Sequence, residues 1–312
     1  MKKFNCFYVD DFLMEKVVYQ WISPKMLKTY SMVFRFLFSS SHIIPSDLST
    51  YTSQNFKRLL GDSFQQRDWT SATYNTYRKC LKCYCGYLVN EEFLQENPFD
   101  KITKRKEPQQ LPRSLTSEQV EELLRALPEA FDRHSFVGLW NSTMVYTYLY
   151  TGLRLSELTN LKYSDLKLMD WYLKVVKGKW AKDRIVPLYN GLIKLLHRYL
   201  KKAKDNLSDD GFLFPTIHGN ALGERDMRTM IDKIRCCLSF HFTWHQLRHT
   251  FATELVRNNF DVYIISKILG HSKIDTTKIY LSIDVWRVKK QLDWFQLFSQ
   301  VPHFREIVLS GN

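Results

Sequence analysis

Apolar residues in the first hundred positions recur every three or four residues, which is the spacing of amphipathic helices. The segment from Met26 to Phe38 follows this spacing, and Ser23-Pro24 just before it is typical of a helix start. A second long pattern runs from 71 to 94, with tyrosines and leucines along one side. The pattern predicts an all-α domain over residues 1–100. The other side of the long helix is predicted to face solvent or DNA and carries Arg78, Lys79 and Lys82.

The pattern changes after residue 100. Residues 101–113 are polar and basic and hold two prolines, which predicts an extended linker between domains. A second helical domain is predicted to begin at 114, where Thr116 and Gln119 have the spacing of a capping box. Two short alternating segments at 171–176 and 184–188 predict the strands of a small antiparallel sheet joined by a hairpin. The predicted fold is therefore mainly α, with an all-α domain followed by a mostly helical α+β domain.

The charge of the chain is positive along its whole length. The 312 residues carry a formal net charge of +13, of which +6 lies in residues 1–113 and +7 in the rest. A basic surface on both domains favours a polyanionic partner such as DNA or RNA. The RNA alternative rests on charge alone, and plain solubility charge is the other alternative.

The cysteines and the apolar runs narrow the class of protein. Cys80, Cys83 and Cys85 lie close together, but no second Cys or Cys/His pair stands at zinc-finger spacing, so buried thiols on a helix are favoured over a metal site. No signal-peptide pattern and no apolar run of membrane-spanning length is present. A reduced intracellular, cytoplasmic protein with no membrane partner is expected.

Three polar motifs interrupt the apolar pattern of the second domain. Gly152 ends an apolar helix, and Arg154 follows with Glu157 three residues later. Arg154 is therefore predicted either to bind a phosphate through its guanidinium group or to form a surface ion pair with Glu157. His245 and Arg248 lie three apart and so share one helical face, while the neighbouring His249 is interpreted as structural. Each motif alone indicates little.

The third motif joins a glycine, a histidine and a tyrosine. Gly270 follows an apolar segment and suits a helix C-terminus, which would hold His271 at a turn. Tyr280 lies nine residues after His271. Together with the motif of His245 and Arg248, this segment predicts a tyrosine hydroxyl near imidazole and guanidinium groups. Such an arrangement is suited to attack on a phosphodiester.

In this order and at this spacing, the motifs resemble those of the tyrosine recombinase (phage integrase) superfamily, from about residue 11 to 284. The size of the chain is similar to that of Xer-type and small phage or transposon integrases. The family's hairpin lysine matches Lys179 in the segment 178–184, with Lys177 and Lys182 as alternatives. The resemblance implies one set of site residues: Arg154, Lys179, His245, Arg248, His271 and Tyr280.

The resemblance also implies a mechanism without ATP, metal or cofactor. Tyr280 would attack the scissile phosphate to form a 3′-phosphotyrosyl link and release a 5′-hydroxyl, and strand exchange would pass through a Holliday junction. Arg154, Arg248 and His271 would bind the non-bridging oxygens, and Glu157 would support Arg154. His245 would act as the base for the tyrosine, and Lys179 would protonate the leaving oxygen.

Domain roles and partners follow from the same resemblance. Residues 1–100 would form a SAM-like core-binding domain that clamps DNA, 114–283 the catalytic domain, and 284–312 a tail exchanged between protomers. The expected partner is double-stranded DNA with an inverted-repeat recombination site in the nucleoid. A homotetramer on synapsed DNA is expected, with a monomer or dimer when the protein is free. The sequence leaves open whether an accessory protein takes part.

Two other functions share parts of this pattern. A type IB topoisomerase would use the same tyrosine chemistry but reseal the same strand as a monomer. A catalytically inactive DNA-binding regulator would keep the basic surface without the complete set of site residues. The choice between integration, excision, resolution and inversion is left open, because all of them would use one active site.

Overall fold

The computed structural model of the protein describes residues 7–20, 22–108, 114–132, 134–176, 183–203 and 210–270. The chain divides into two compact units, residues 1–110 and 111–312, and the division falls within the predicted linker. Several predicted features lie outside the described residues. They are Lys177, Lys179 and Lys182 of the hairpin, His271, Tyr280 and the tail 284–312.

The described part of the first unit is helical, as its apolar spacing predicts. Its α-helices are α1 (Phe7–Val18), α2 (Pro24–Phe38), α3 (Ser53–Gln66) and α4 (Ser71–Asn90), and short 3-10 turns stand at Leu48–Thr50 and Pro98–Lys101. The predicted start of α2 is confirmed, because the Ser23 hydroxyl accepts a hydrogen bond from the backbone N–H of Met26 and Pro24 is the first helical residue.

Aromatic side chains form the core of this unit. Tyr84 of α4 is fully buried, with its ring centroid 5.0 Å from that of Phe34 and 5.4 Å from that of Phe12. Cys80 and Cys85 are buried on the same helix, and Cys83 is half-buried. The aromatic side of α4 therefore packs inward, as its spacing predicts.

The basic side predicted for α4 is wrong at one position. Arg78 is buried, and its Nε donates a 2.6 Å hydrogen bond to the carbonyl oxygen of Ile102. Arg78 stands four residues after Tyr74 and three before Leu81, so it lies on the inward face of the helix. Lys79 is exposed, as predicted.

The first half of the predicted linker lies against the first unit. The Asn75 side chain accepts a hydrogen bond from the backbone N–H of Arg105 at 3.0 Å and donates one to the Arg105 carbonyl at 2.9 Å. The Arg105 guanidinium lies 3.7 Å from the ring centroid of Phe64. This contact to an aromatic ring holds Arg105 against the helices of the first unit.

The described part of the second unit contains helices and a small sheet. Its α-helices are α5 (Ser117–Ala130), α6 (Phe136–Thr151), α7 (Leu155–Thr159), α8 (Asn190–Ala203), α9 (Glu224–Arg235), α10 (Trp244–Arg257) and α11 (Val262–Leu269). Its strands are β1 (Leu166–Lys167), β2 (Tyr172–Val175) and β3 (Arg184–Pro187). The capping box at the start of α5 is confirmed, since Thr116 and Gln119 bond to each other's backbone.

Helix α6 is the centre of this unit and is buried along nearly its whole length. The buried hydroxyls of Thr143 and Thr147 donate to carbonyl oxygens one turn earlier in the same helix, so these two groups are satisfied within α6. Helices α8 and α10 pack on α6. Helix α6 can therefore hold the site residues that follow its C-terminus in a fixed place.

The sheet is antiparallel and has the order β1-β2-β3. The two predicted strands are β2 and β3, paired so that Leu173 faces Val186 and Val175 faces Arg184. Strand β1 was not predicted, because two residues are too short to show an alternating pattern. Among the described helices, none has both the length and the apolar character needed to cross a bilayer.

Candidate active site

The first site residue follows a sharp turn at the end of α6. Gly152 has a left-handed backbone conformation, with φ +58°, and caps the helix. The chain then resumes as α7, and the backbone N–H of Arg154 donates a 2.7 Å hydrogen bond to Oε2 of Glu157. The Arg154 side chain bonds the same carboxylate, with Nη1 3.0 Å from Oε1. The break predicted at Gly152 and the predicted support of Arg154 by Glu157 are both present.

Glu157 binds a second arginine that the sequence did not single out. Nη1 and Nη2 of Arg184, the first residue of β3, donate to the two carboxylate oxygens of Glu157 at 2.8 and 2.6 Å. Burial alone would raise the pKa of the Glu157 carboxyl, but the hydrogen bonds and charge of Arg184 and the bonds from Arg154 outweigh burial and lower the pKa to about 2. Glu157 is therefore ionised near neutral pH and is unsuited to proton transfer there.

Arg248 lies on the buried side of α10. Its Nη1 donates to the carbonyl oxygen of Gly152, and its Nη2 donates to that of Leu269 at 2.7 Å. Burial and the nearby charge of Arg154 lower the pKa of the Arg248 guanidinium to about 10. The side chain thus stays protonated at neutral pH and joins the end of α6 to the end of α11.

The three arginines converge on one helix end. Arg184 donates through Nε to the carbonyl oxygen of Ile268 at 2.7 Å, Arg248 donates to Leu269, and Arg154 donates through Nη2 to Gly270 at 2.8 Å. A helix C-terminus presents carbonyl groups without helical partners and carries a partial negative charge. Three consecutive carbonyls of this kind are bound here by three different elements of the fold.

Gly270 ends α11 in a left-handed conformation, with φ +67°. The C-terminal role predicted for Gly270 is confirmed. His271 is the next residue in the chain, so its peptide bond begins at the carbonyl that Arg154 holds. His271, Lys179 and Tyr280 themselves lie outside the residues that the structure describes.

His245 stands on α10 one turn before Arg248 and is exposed. Its ring lies edge-on to that of His249, with 4.5 Å between the ring centroids. The structure thus brings together two of the predicted arginines and places His245 on the neighbouring turn. His249 thus contacts one of the predicted site residues.

The described cluster has an excess of positive charge. The cluster holds three guanidinium groups and one carboxylate, that of Glu157, so it carries a formal charge of +2, offset in part by the negative end of α11. The side chain of Arg154 is 40% exposed, whereas that of Arg184 is 7% exposed. The cluster can therefore bind an anion, and Arg154 is the arginine most open to it.

Arg184 was not identified as a site residue from the sequence. Two signals were available: Arg184 closes the segment 178–184 that matches the family's hairpin motif, and a charged residue at the start of an otherwise apolar strand is unusual unless the charge is paired. Its partners are Glu157, 27 residues earlier, and Ile268, 84 residues later. Neither spacing belongs to a local motif.

Comparison with known proteins gives consistent matches. Residues 113–285 match the phage integrase family. The tyrosine recombinase XerD of Listeria monocytogenes is 28% identical over 288 residues, which is 90% of this chain and 95% of that protein. The tyrosine recombinase XerA of Pyrococcus horikoshii is 31% identical over 205 residues, which is 65% of this chain and 68% of that protein.

Solved structures show the same fold at low sequence identity. The integrase of transposon Tn1549, in complex with a circular intermediate DNA, aligns with a TM-score of 0.70 and 18% identity over 91% of this chain and 98% of its own. A lambda integrase tetramer bound to a Holliday junction aligns with a TM-score of 0.66 and 18% identity over 87% of this chain and 79% of its own.

Proposed function

The chain belongs to the phage integrase family of tyrosine recombinases, and we propose that its arginine cluster around Glu157 binds the DNA phosphate that is cut. The protein is a site-specific recombinase, an enzyme that cuts and rejoins DNA strands. The observation that carries the proposal is the charge of the cluster. The cluster holds three arginines against a single carboxylate, and Arg154 remains accessible. A phosphodiester anion would neutralise part of the remaining positive charge of the cluster.

Tyr280 is the proposed nucleophile. Its hydroxyl oxygen would bond to the scissile phosphorus while the bond from phosphorus to the 5′-oxygen breaks, which leaves a 3′-phosphotyrosyl ester and a 5′-hydroxyl. A 5′-hydroxyl from a partner strand would then attack that ester and release Tyr280. Each step exchanges one phosphate ester for another, so no ATP is consumed, and strand exchange would pass through a Holliday junction.

The other site residues would transfer protons and stabilise the negative charge of the transition state. His245 would accept the proton of the Tyr280 hydroxyl, and Lys179 would donate one to the leaving 5′-oxygen. Arg154, Arg248 and His271 would donate hydrogen bonds to the non-bridging oxygens, where a preorganised donor contributes about 3 to 4 kcal/mol. Neither a metal ion nor a cofactor is part of the proposal, because the guanidinium groups would supply the positive charge that a divalent ion gives elsewhere.

The proposed partner is double-stranded DNA with an inverted-repeat site in the nucleoid of the cytoplasm. The integrase complexes with DNA and the lambda integrase tetramer on a Holliday junction support this partner and an oligomer. Residues 1–100 would clamp the duplex, 101–113 would link the domains, 114–283 would hold the active site, and 284–312 would dock into a neighbouring protomer. An accessory protein is compatible with this scheme.

The tail proposal has its own test. Deleting residues 290–312 is expected to leave DNA binding intact but to weaken tetramer formation and recombination, measured by sedimentation on junction DNA and by a recombination assay. Wild-type recombination by the truncated protein would contradict the exchange of the tail between protomers.

Covalent trapping tests the proposed chemistry. The protein is incubated with nicked genomic or element-derived DNA fragments, and SDS-resistant adducts are isolated and sequenced. Adducts at one inverted-repeat sequence are expected, and they should disappear with Tyr280→Phe. Tyr263→Phe is the matched control, because Tyr263 on α11 is also partly exposed but has no proposed role. Adducts that persist in Tyr280→Phe would overturn the assignment of the nucleophile.

The trapped sequences also separate the remaining alternatives. Adducts without sequence preference, together with relaxation of supercoiled plasmid, would point to a type IB topoisomerase. DNA binding without adducts would point to an inactive regulator. The relatives that match this chain are recombinases and integrases, and nothing in these comparisons favours either alternative.

A further inference from the structure

We propose that Arg184 is a positioning residue for DNA cleavage, which fixes the end of α11 and the carboxylate of Glu157 without itself contacting DNA. This inference rests on the proposed function, because it concerns the segment that leads from α11 to His271 and Tyr280. It adds a third arginine to the site and gives it a task different from that of Arg154 and Arg248.

The first argument is the use of donor groups. All three guanidinium nitrogens of Arg184 donate to protein oxygens: Nε to the carbonyl of Ile268, and Nη1 and Nη2 to the Glu157 carboxylate. The side chain is 7% exposed. Arg154, by contrast, uses Nη1 and Nη2 for protein contacts among the described residues and is 40% exposed. Because each of its three guanidinium nitrogens is already bonded to protein and its side chain is nearly buried, Arg184 is suited to hold protein groups in place and not to bind a phosphate.

The second argument is the order of the contacts along α11. Arg184, Arg248 and Arg154 bind the carbonyls of three consecutive residues, 268 to 270. When Arg154 and Arg248 turn toward a phosphate, their bonds to the last two carbonyls compete with the substrate. The Arg184 bond to Ile268 does not compete, so it holds the helix end in place during the reaction.

The third argument is that Arg184 also sets the position of Arg154. The two oxygens of Glu157 are each shared between Arg184 and Arg154, whose backbone N–H and Nη1 both bond the carboxylate. A carboxylate held by a two-pronged arginine has one orientation. The side chain of Arg184 therefore joins strand β3 to the start of α7 through its ion pair with Glu157, and to the end of α11 through its hydrogen bond to Ile268.

A lysine at position 184 could not make the same contacts. A lysine ammonium is a single point charge, whereas the planar guanidinium addresses a carboxylate and a third oxygen at once. Arg184→Lys keeps the charge of the site and removes its geometry. Arg235→Lys on α9 is the matched control, since Arg235 also donates to a backbone carbonyl, that of Phe242 at 3.0 Å, and to the Asp232 carboxylate.

The experiment compares full-length wild-type protein, Arg184→Lys and Arg235→Lys on a DNA fragment that yields Tyr280-dependent adducts. Binding is measured against salt concentration, and the rate of adduct formation is measured at saturating protein, with thermal melting as a check of folding. We expect Arg184→Lys to bind DNA with an unchanged salt dependence but to form adducts about tenfold to 100-fold more slowly, because small misplacements of reacting groups cost this much. Arg235→Lys should cleave at the wild-type rate.

A second substrate separates two ways in which Arg184 could act. A fragment with sulfur in place of the bridging 5′-oxygen has a leaving group that needs no proton. The slow rate of Arg184→Lys should persist on this fragment if the arginine positions the end of α11. Restoration of the rate would show instead that Arg184 acts through the hairpin lysine, five residues earlier, and would overturn the proposal.

The remaining outcomes are equally distinct. In Arg184→Gln, which removes the charge, a decrease of about one in the salt slope would identify Arg184 as a phosphate ligand and overturn the positioning role. Equal rates for Arg184→Lys and wild type would also overturn it while leaving the proposed function intact. If Arg184→Lys melts early, Glu157→Gln provides the second variant, and its slow cleavage should not be additive with that of Arg184→Lys. Absence of adducts with the wild type would contradict the proposed function itself.

Discussion

The guanidinium of Arg248 donates a 2.7 Å hydrogen bond to the carbonyl oxygen of Leu269, and so joins α10 to the last turn of α11. Its other terminal nitrogen bonds the carbonyl of Gly152 at the end of α6. One buried cation therefore satisfies carbonyls at two helix ends, groups that would otherwise be desolvated without a partner. The candidate site is built around the ends of helices, and this has consequences for stability as well as for phosphate binding.

Replacing Arg248 by methionine is expected to destabilise the protein by about 2 to 4 kcal/mol, because two buried carbonyls lose their donors. Denaturant unfolding measures this. Arg257→Met on the same helix is the control, since Arg257 is exposed and pairs with Glu254 at the surface. It should change the free energy of unfolding by at most about 0.5 kcal/mol. Equal losses in both variants would contradict the structural role of Arg248.

Gly152→Ala should be destabilising for two separable reasons. Its φ of +58° disfavours a side chain. An added Cβ would also clash with the ring of Phe251 and lie 2.9 Å from the side chain of Leu269. Strain and crowding together are expected to cost about 2 to 4 kcal/mol. Gly219 also has positive φ, at +77°, but no atom within 4 Å of an added Cβ, so Gly219→Ala should cost only about 1 to 2 kcal/mol. A thermal melt of both variants tests the difference.

The free energy of unfolding at acid pH should depend on the ionisation of Glu157. Its folded-state pKa of about 2 lies below the ordinary value of 4.5, so its stabilising contribution is present above pH 4.5 and is lost as the pH falls toward 2. The shift corresponds to about 3 kcal/mol. The difference in free energy of unfolding between wild type and Glu157→Gln should therefore shrink from pH 5 to pH 2. A constant difference over this range would show that Glu157 does not titrate as described.

Much of this architecture could be predicted from local sequence. Helix starts such as Ser23-Pro24 and ends such as Gly152 and Gly270 follow from backbone chemistry that acts within a few residues. Arg154 and Arg248 could be singled out because each stands in a compact motif. The role of Arg184 could not be predicted, because it depends on oxygens 27 and 84 residues away that only the folded chain brings together.

Arg78 shows the same limit in the first unit. Its charge suggested the surface, although its spacing from Tyr74 and Leu81 fitted the buried side of α4. A buried arginine was possible here only because the segment after Pro98 offers carbonyl oxygens, including those of Phe99 and Ile102. Whether a charge is buried thus depends on acceptors that residue type and helical spacing do not reveal.

The two neighbouring cations of α4 should therefore behave differently. Arg78→Met is expected to destabilise the protein by about 1.5 to 3 kcal/mol, because buried carbonyls lose a charged donor. Lys79→Met should leave stability almost unchanged, since Lys79 is exposed, but it should reduce the salt slope of DNA binding by about one if this side faces DNA. Unfolding curves and binding titrations of both variants test this. A weakened salt dependence in Arg78→Met alone would contradict the assignment.

The hairpin lysine can be assigned by the chemistry of the leaving group. Lys177→Ala, Lys179→Ala and Lys182→Ala each remove one positive charge from the same loop, so all three are matched for their effect on DNA binding. Only the variant that lacks the general acid should cleave an ordinary DNA fragment slowly and recover on a fragment with a 5′-bridging sulfur, because a thiol, with a pKa of about 8.5, leaves without being protonated. We expect this behaviour for Lys179→Ala. Recovery of Lys177→Ala or Lys182→Ala in its place would move the assignment to that residue, and a slow rate that sulfur does not restore in any of the three would show that the proton comes from elsewhere in the site.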